Sequence, residues 1–182
     1  FRRWLDTIWI CDLLSVFEHF KFGNREGSWQ SYLENGHLST KTNFKNDKLH
    51  GNCTSYYANG KLKLVCNFKS GILDGTLIGY YDNGELMNID PYENGEMHGY
   101  SKFFFKNGKL SSAGNYKLGN KEGPWKYYNY DEKIYSHGEF QSGKKERLWE
   151  YFDELGSLKK SVIYRNGEVI DKQTWTILTL ST

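Results

Sequence analysis

A chain of 182 residues that is 38% hydrophobic and 17% aromatic carries enough apolar surface for one or two packed units, which excludes a disordered tail. Its 24 Lys and Arg are interspersed among 22 Asp and Glu for a formal charge of +2, so no field favours nucleic acid and none is expected as a partner. Fourteen Tyr, 11 Phe and 19 Gly against 2 Pro favour strands joined by tight turns, while three Cys without a CxxC point away from a disulfide framework or a zinc site.

In chain order, residues 1–19 come first, with Leu5, Trp9, Leu13, Val16 and Phe17 at spacings of three and four; this predicts an amphipathic helix capping the sheet that follows. Asp6 and Asp12 interrupt its apolar run and no small-residue cleavage site follows, so a cytoplasmic location is expected. No run of eighteen apolar residues occurs anywhere, and no spanning helix is expected.

From Phe20 the chain repeats. Phe20, Phe44, Phe68, Tyr92, Tyr116, Phe140 and Tyr164 recur at intervals of twenty-four residues, giving six full units and a partial seventh over 20–170. Counting from each aromatic, glycine recurs at +3, where Asp47 departs, and at +7, where Arg147 departs. Asn-Gly recurs at +15 and +16 in four units, a strong hairpin signal, and is replaced by Asp131-Glu132 and Leu155-Gly156 in the last two. Each unit therefore reads as one β-hairpin plus a glycine-bounded connection. The fold class is an all-β, elongated meander of antiparallel hairpins with a short N-terminal helix, and 171–182 reads as a last strand or tail.

Closing each Asn-Gly as a two-residue turn assigns every column to a face. The core face then holds Trp29, Cys53, Leu77, Ser101, Trp125 and Trp149 at +9, the +13 column that begins with Leu33 and Tyr57, the Leu/Ile column from Leu38 to Leu158, and the position-zero aromatics. Cys53 directly opposes Cys66, within reach of a disulfide; a pair of reduced core thiols is the alternative. Trp125 opposes Gly138 in the same way.

The opposite face is mostly polar, except that +12 is aromatic in every unit: Tyr32, Tyr56, Tyr80, Phe104, Tyr128 and Phe152. That row has three readings. It packs across strands on neighbouring side-chain stems, it forms a stripe for a protein partner, or it meets lipid headgroups. At +6, Glu26, His50, Asp74, His98, Glu122 and Glu146 line one loop edge, either as polar turn residues in water or as a metal or acid-base ladder. Against the ladder, neighbouring units lie about 9 to 10 Å apart, whereas metal ligands approach to about 2 Å. No nucleophile sits beside a matched base and no glycine run opens a helix, so neither an enzyme nor a nucleotide site is expected.

The pattern G-x-x-x-G-x-W-x-x-Y-Y-x-N-G-x-L, seen in GNREGSWQSYLENGHL at 23–38 and GNKEGPWKYY at 119–128, resembles the MORN-repeat variant family, nearest its bacterial YwqK-type antitoxin-like members. The resemblance covers about 20–170. It implies a twisted sheet of successive hairpins, no catalytic residue and no cofactor, and a non-enzymatic scaffold for protein contact, with a toxin of a bacterial toxin–antitoxin pair as the partner. A membrane-peripheral module contacting lipid headgroups is the alternative it implies. The oligomeric state stays open.

Overall fold

The structure, a computed structural model, describes residues 15–17 and 19–174. Strands and turns account for all of them, with no helix among the described residues. The chain divides into two units, Phe1–Gly95 and Glu96–Thr182.

The first unit contains the hairpins Gly27–Tyr32 with Leu38–Lys45, Gly51–Tyr56 with Leu62–Lys69, and Gly75–Tyr80 with Leu86–Glu93. Successive hairpins join antiparallel, through Thr40 with Ser55 and Val65 with Ile78. The second unit repeats the design in Gly99–Phe104 with Leu110–Lys117, Asn120–Tyr128 with Ile134–Gln141, and Lys144–Phe152 with Leu158–Arg165, and adds Glu168–Thr174.

The helix expected over 1–19 falls mostly outside the described residues, and where the chain is described it is not helical. Ser15–Phe17 is a strand antiparallel to Gly27–Tyr32, with Val16 opposite Ser31. The reason is the backbone of Gly27–Tyr32, whose outer edge would otherwise present unpaired N–H and C=O groups. At the other end, the strand Glu168–Thr174 takes in the start of 171–182; the rest of that segment also lies outside the described residues.

Each repeat has two turns, and the two-residue one is not at Asn-Gly. It is at +2 and +3, where consecutive residues such as Ser142 and Gly143 both have positive φ, 48° and 80°. That is the mirror-image turn that suits the twist of flanking strands. At Asn-Gly only the glycine is left-handed: Gly36 donates its N–H to Leu33 at 2.8 Å and Leu33 donates to His37 at 2.8 Å, a three-residue loop. The asparagine Oδ1 accepts the N–H two residues on, as in Lys61 to Asn59 at 3.0 Å. Where Asn-Gly is missing, the +13 residue does this work. Asn129 accepts from Asp131 and Lys133 at 3.0 Å each, and Asp153 from Leu155 and Ser157 at 2.9 and 2.8 Å.

The third loop residue would slip the register by one, but a bulge between +11 and +12 takes the slip back. Ser31 pairs with Thr40, yet Tyr32 pairs with Leu38. Beyond the bulge the expected partners are found: Trp29 with Thr42, Cys53 with Cys66, Leu77 with Asp90, Ser101 with Gly114, Trp125 with Gly138, and Trp149 with Val162. Before the bulge the face assignment changes. The Leu/Ile column, expected on the Trp/Cys face, lies directly opposite the +12 aromatics, and direct partners share a face.

The buried face carries the core. In the first unit it is Cys53, Cys66, Phe68 and Leu73, with Leu49, Leu64, Leu77 and Tyr92 packed against them. In the second unit Trp125 and Trp149 are each 1% exposed. Each indole lies flat on a glycine of the preceding strand: a Cβ at Gly114 would stand 2.3 Å from Trp125, and one at Gly138 2.3 Å from Trp149. So Gly138, although it is the register partner of Trp125, is covered by Trp149. Each indole N–H is satisfied by a backbone carbonyl, Trp125 to Asn115 and Trp149 to Glu139, both at 3.0 Å.

Columns +5 and +9 vary together in chemical kind. Where +9 is tryptophan, +5 is a cation (Arg25, Lys121, Lys145); where +9 is Cys53, Leu77 or Ser101, +5 is Leu49, Leu73 or Met97.

Candidate functional site

The +6 column has a structural task that neither expected reading included. Glu26 accepts the N–H of Asn46 at 3.0 Å, Glu122 that of Ser142 at 2.8 Å, Glu146 that of Asn166 at 2.5 Å, and the His50 ring nitrogen that of Ser70 at 3.3 Å. Each is therefore an acceptor for the left-handed turn of the next repeat, whose N–H has no partner in its own hairpin. Beside it runs a backbone bond from the same turn, such as Gly143 to Lys121 at 2.9 Å. The opposite loop edge is latched with reversed polarity. Lys61 donates to the Asn83 carbonyl at 2.6 Å, Lys109 to Tyr130 at 2.9 Å and Lys133 to Glu154 at 3.1 Å. Among the described residues no group of His, Cys, Asp and Glu is arranged to hold a metal ion.

The +12 aromatics are all half-buried, set across the strand pair from the Leu/Ile column. Tyr32 pairs with Leu38, Tyr56 with Leu62 and Tyr80 with Leu86 in the first unit; Phe104 pairs with Leu110, Tyr128 with Ile134 and Phe152 with Leu158 in the second. These are cross-strand pairs of the kind that hold a sheet, about 0.2–1 kcal/mol each. The row is thus partly used by the fold.

What distinguishes the two units is the next row inward on the same face. In the first unit it runs Thr54, Val65, Ile78, Ile89, each directly paired with the next, and all half-buried. Together with Tyr56, Leu62, Tyr80 and Leu86 it makes one apolar surface, with Lys41 at its margin. In the second unit the same row reads Lys102, Ala113, Lys126, His137, Glu150, Ser161. There His137 Nε2 stands 3.3 Å from the Glu150 carboxylate. Column reading missed Val65, Ile78 and Ile89 because their columns mix with Lys41, Lys102 and Lys126; the signal lies along the row across strands.

On the buried face of the second unit, Lys121 Nζ lies 4.0 Å from the Trp125 ring centre and donates to Tyr127 Oη at 2.8 Å. Lys145 repeats this geometry at 4.1 Å from Trp149, with Tyr151 Oη at 2.8 Å. Burial, and then repulsion from Lys145, lower the Lys121 pKa from its ordinary value. Burial likewise pushes the Tyr127 hydroxyl up, helped by the neighbouring tyrosines.

Cys53 and Cys66 face each other as thiols, each 2% exposed. The hydrogen bond from Cys53 and then burial push the Cys66 thiol well up from its ordinary value. No helix among the described residues is long and apolar enough to cross a membrane.

Among known families, the profile described as the MORN repeat variant matches four tandem stretches, residues 25–46, 49–70, 73–94 and 97–118. The matched stretches start at +5 of one unit and end at +2 of the next, so each spans one hairpin between two successive two-residue turns. Among curated proteins, none matches the chain.

Proposed function

The chain belongs to the MORN-repeat variant family, a non-catalytic repeat module that mediates protein or lipid interactions, and from that premise we propose that it is a non-enzymatic scaffold holding a protein partner on the exposed sheet face of its first unit. The observation that carries the reading is the cross-strand row Val65, Ile78, Ile89. It joins Tyr56 and Tyr80 in an apolar surface on a face that is otherwise polar. A contiguous apolar row left half-open to solvent marks a binding surface, and tyrosine adds contact area with a polar handle. Lys41 at the margin suits a partner whose apolar anchors are flanked by a carboxylate. Within the first unit Tyr32 extends the same stripe, and Phe104, Tyr128 and Phe152 form the second unit's own +12 row. A toxin of a bacterial toxin–antitoxin pair is the finer form of this reading, supported by the likeness of the repeat pattern.

A photo-crosslinking side chain placed at Ile78 tests it in the native host. The expected result is one discrete protein adduct that disappears when Tyr56 and Tyr80 are changed to Ser, and no such adduct from the same probe at Lys126. A lipid adduct at Ile78, or equal labelling from both positions, would sink the proposal.

A further inference from the structure

The buried face of the second unit carries positive charge that the fold leaves uncompensated. Besides Lys121 and Lys145, the register puts Lys160 on this face, paired with Tyr151, and Lys172, paired with Val162. Lys160 Nζ lies 4.4 Å from the Tyr151 ring centre. Five acids of this unit are engaged elsewhere: Glu122 and Glu146 hold turn N–H groups, Glu139 and Glu150 pair with Arg147 and His137 on the opposite face, and Asp153 is folded onto its own loop. The ammonium groups of Lys121 and Lys145 meet ring faces and one hydroxyl each, which leaves donors on both for an anion.

Leu49, Leu73 and Met97 fill the same column only in the repeats with a smaller +9 residue, so the cation goes with the tryptophan face. What lysine adds is charge at a regular interval. Lys121 and Lys145 are one repeat apart, two strands along the sheet, or about 9 to 10 Å. A polyproline II segment rises about 3.1 Å per residue, so every third side chain recurs at about 9.3 Å. Aromatic-lined surfaces are the usual seat for such segments, because the extended backbone loses little freedom on binding.

We propose that this face of the second unit binds an acidic, extended segment of a protein, with carboxylates three residues apart seated on Lys121 and Lys145 between the rings of Tyr127 and Tyr151. Lys160 and Lys172 lie further along the same face and extend the run of charge. The surface differs from the apolar one of the first unit in place and chemistry, so either proposal can fail without the other.

The probe is a fluorescent peptide of five Glu-Pro-Pro triplets, with Gln-Pro-Pro, an oligothymidylate and phosphatidylserine vesicles as comparators. The full chain should bind the Glu peptide at least about tenfold more tightly than the Gln peptide, with affinity falling as salt rises. The double variant Lys121→Met, Lys145→Met keeps the packing stems and should lose at least about tenfold, while Lys126→Met on the other face should change nothing. Lys121→Arg with Lys145→Arg should retain binding. Should the Met pair fail to fold, Lys160→Glu serves in its place and must weaken the Glu peptide. Equal binding of the Gln peptide, indifference to the lysine changes, or tighter lysine-dependent binding of the oligothymidylate or the vesicles would each overturn the assignment.

Discussion

The Glu122 carboxylate accepts the backbone N–H of Ser142 at 2.8 Å, reaching twenty residues along the chain into the turn of the next repeat. Glu146 does the same for Asn166. A repeat sheet is held by nearest-neighbour terms, and these bonds are one such term. Glu122→Ala leaves the Ser142 donor to water and removes a charge-assisted bond, so it should cost about 1 kcal/mol. Urea unfolding should show a lower midpoint for Glu122→Ala and a smaller drop for Glu122→Gln, which keeps an acceptor oxygen. Equal midpoints for Ala and wild type would show the latch to be idle.

Trp149 lies on Gly138 so closely that the position of an added Cβ is 2.3 Å from the ring. Gly138→Ala should therefore destabilise by about 3 kcal/mol or more, at the upper end of overpacking costs. Since the ring is the obstacle, Trp149→Leu should relieve it, and the two changes together should cost less than the sum of their separate effects. Strict additivity in that double-mutant cycle would mean that Gly138 is needed for its backbone alone.

Glu132 and Arg147 occupy left-handed positions, φ 64° and 60°, where glycine stands in other repeats. A side chain there costs about 1–2 kcal/mol. Glu132→Gly should stabilise the protein by about 1 kcal/mol, because the exposed pair it forfeits with Lys109, at 3.8 Å, is worth little. Asp47, at φ 62°, should behave oppositely. Its Oδ1 accepts the Arg25 backbone N–H at 2.8 Å and the Arg25 Nε–H at 3.3 Å, so Asp47→Gly loses more than it relieves. Thermal midpoints of the two variants should move in opposite directions.

The register in the body of each hairpin was legible for an instructive reason. A two-residue turn at Asn-Gly and the three-residue loop found there differ by one residue, and the bulge after Ser31 removes one, so Cys53 meets Cys66 under either turn. Between loop and bulge nothing cancels, which is why Leu38 and its column changed face. Bulges leave no letter in the sequence at that place. The +6 acceptors were legible as a column but not in their task, because their partner is a backbone N–H, which every residue has. The patch at Val65, Ile78 and Ile89 needed strand neighbours rather than repeat neighbours. At the N-terminus, three- and four-residue spacing could not show that Ser15–Phe17 would be drawn into the open edge beside Gly27–Tyr32.

Cys53 and Cys66, buried among Phe68 and Leu73, should be shielded from a small thiol reagent in the native protein. Their labelling should proceed at the rate of opening of the sheet and become immediate in urea. Rapid native labelling of either would mean that the core of the first unit opens locally. Absence of two reactive thiols even in urea without reductant would establish that the facing pair is bridged.

Lys121 is held charged against Trp125, with its pKa lowered from 10.5 by burial first and by Lys145 second. A lysine whose folded pKa lies below its unfolded one binds its proton less tightly in the folded state. Its charge therefore costs stability at neutral pH, and the cost fades as pH rises from the lowered value towards 10.5. Tyr127 and Tyr164, raised by burial, act in the opposite sense, since their unfolded forms lose protons first. Neither of Lys121's effects on wild type is present in Lys121→Met, and the causes of the Tyr127 shift do not include Lys121. Subtracting the two proteins' urea midpoints across this alkaline range should thus report the lysine together with its bond to Tyr127 Oη, with wild type gaining on the variant as pH rises. A flat difference would show that the ammonium is as well solvated on the tryptophan face as in the unfolded chain.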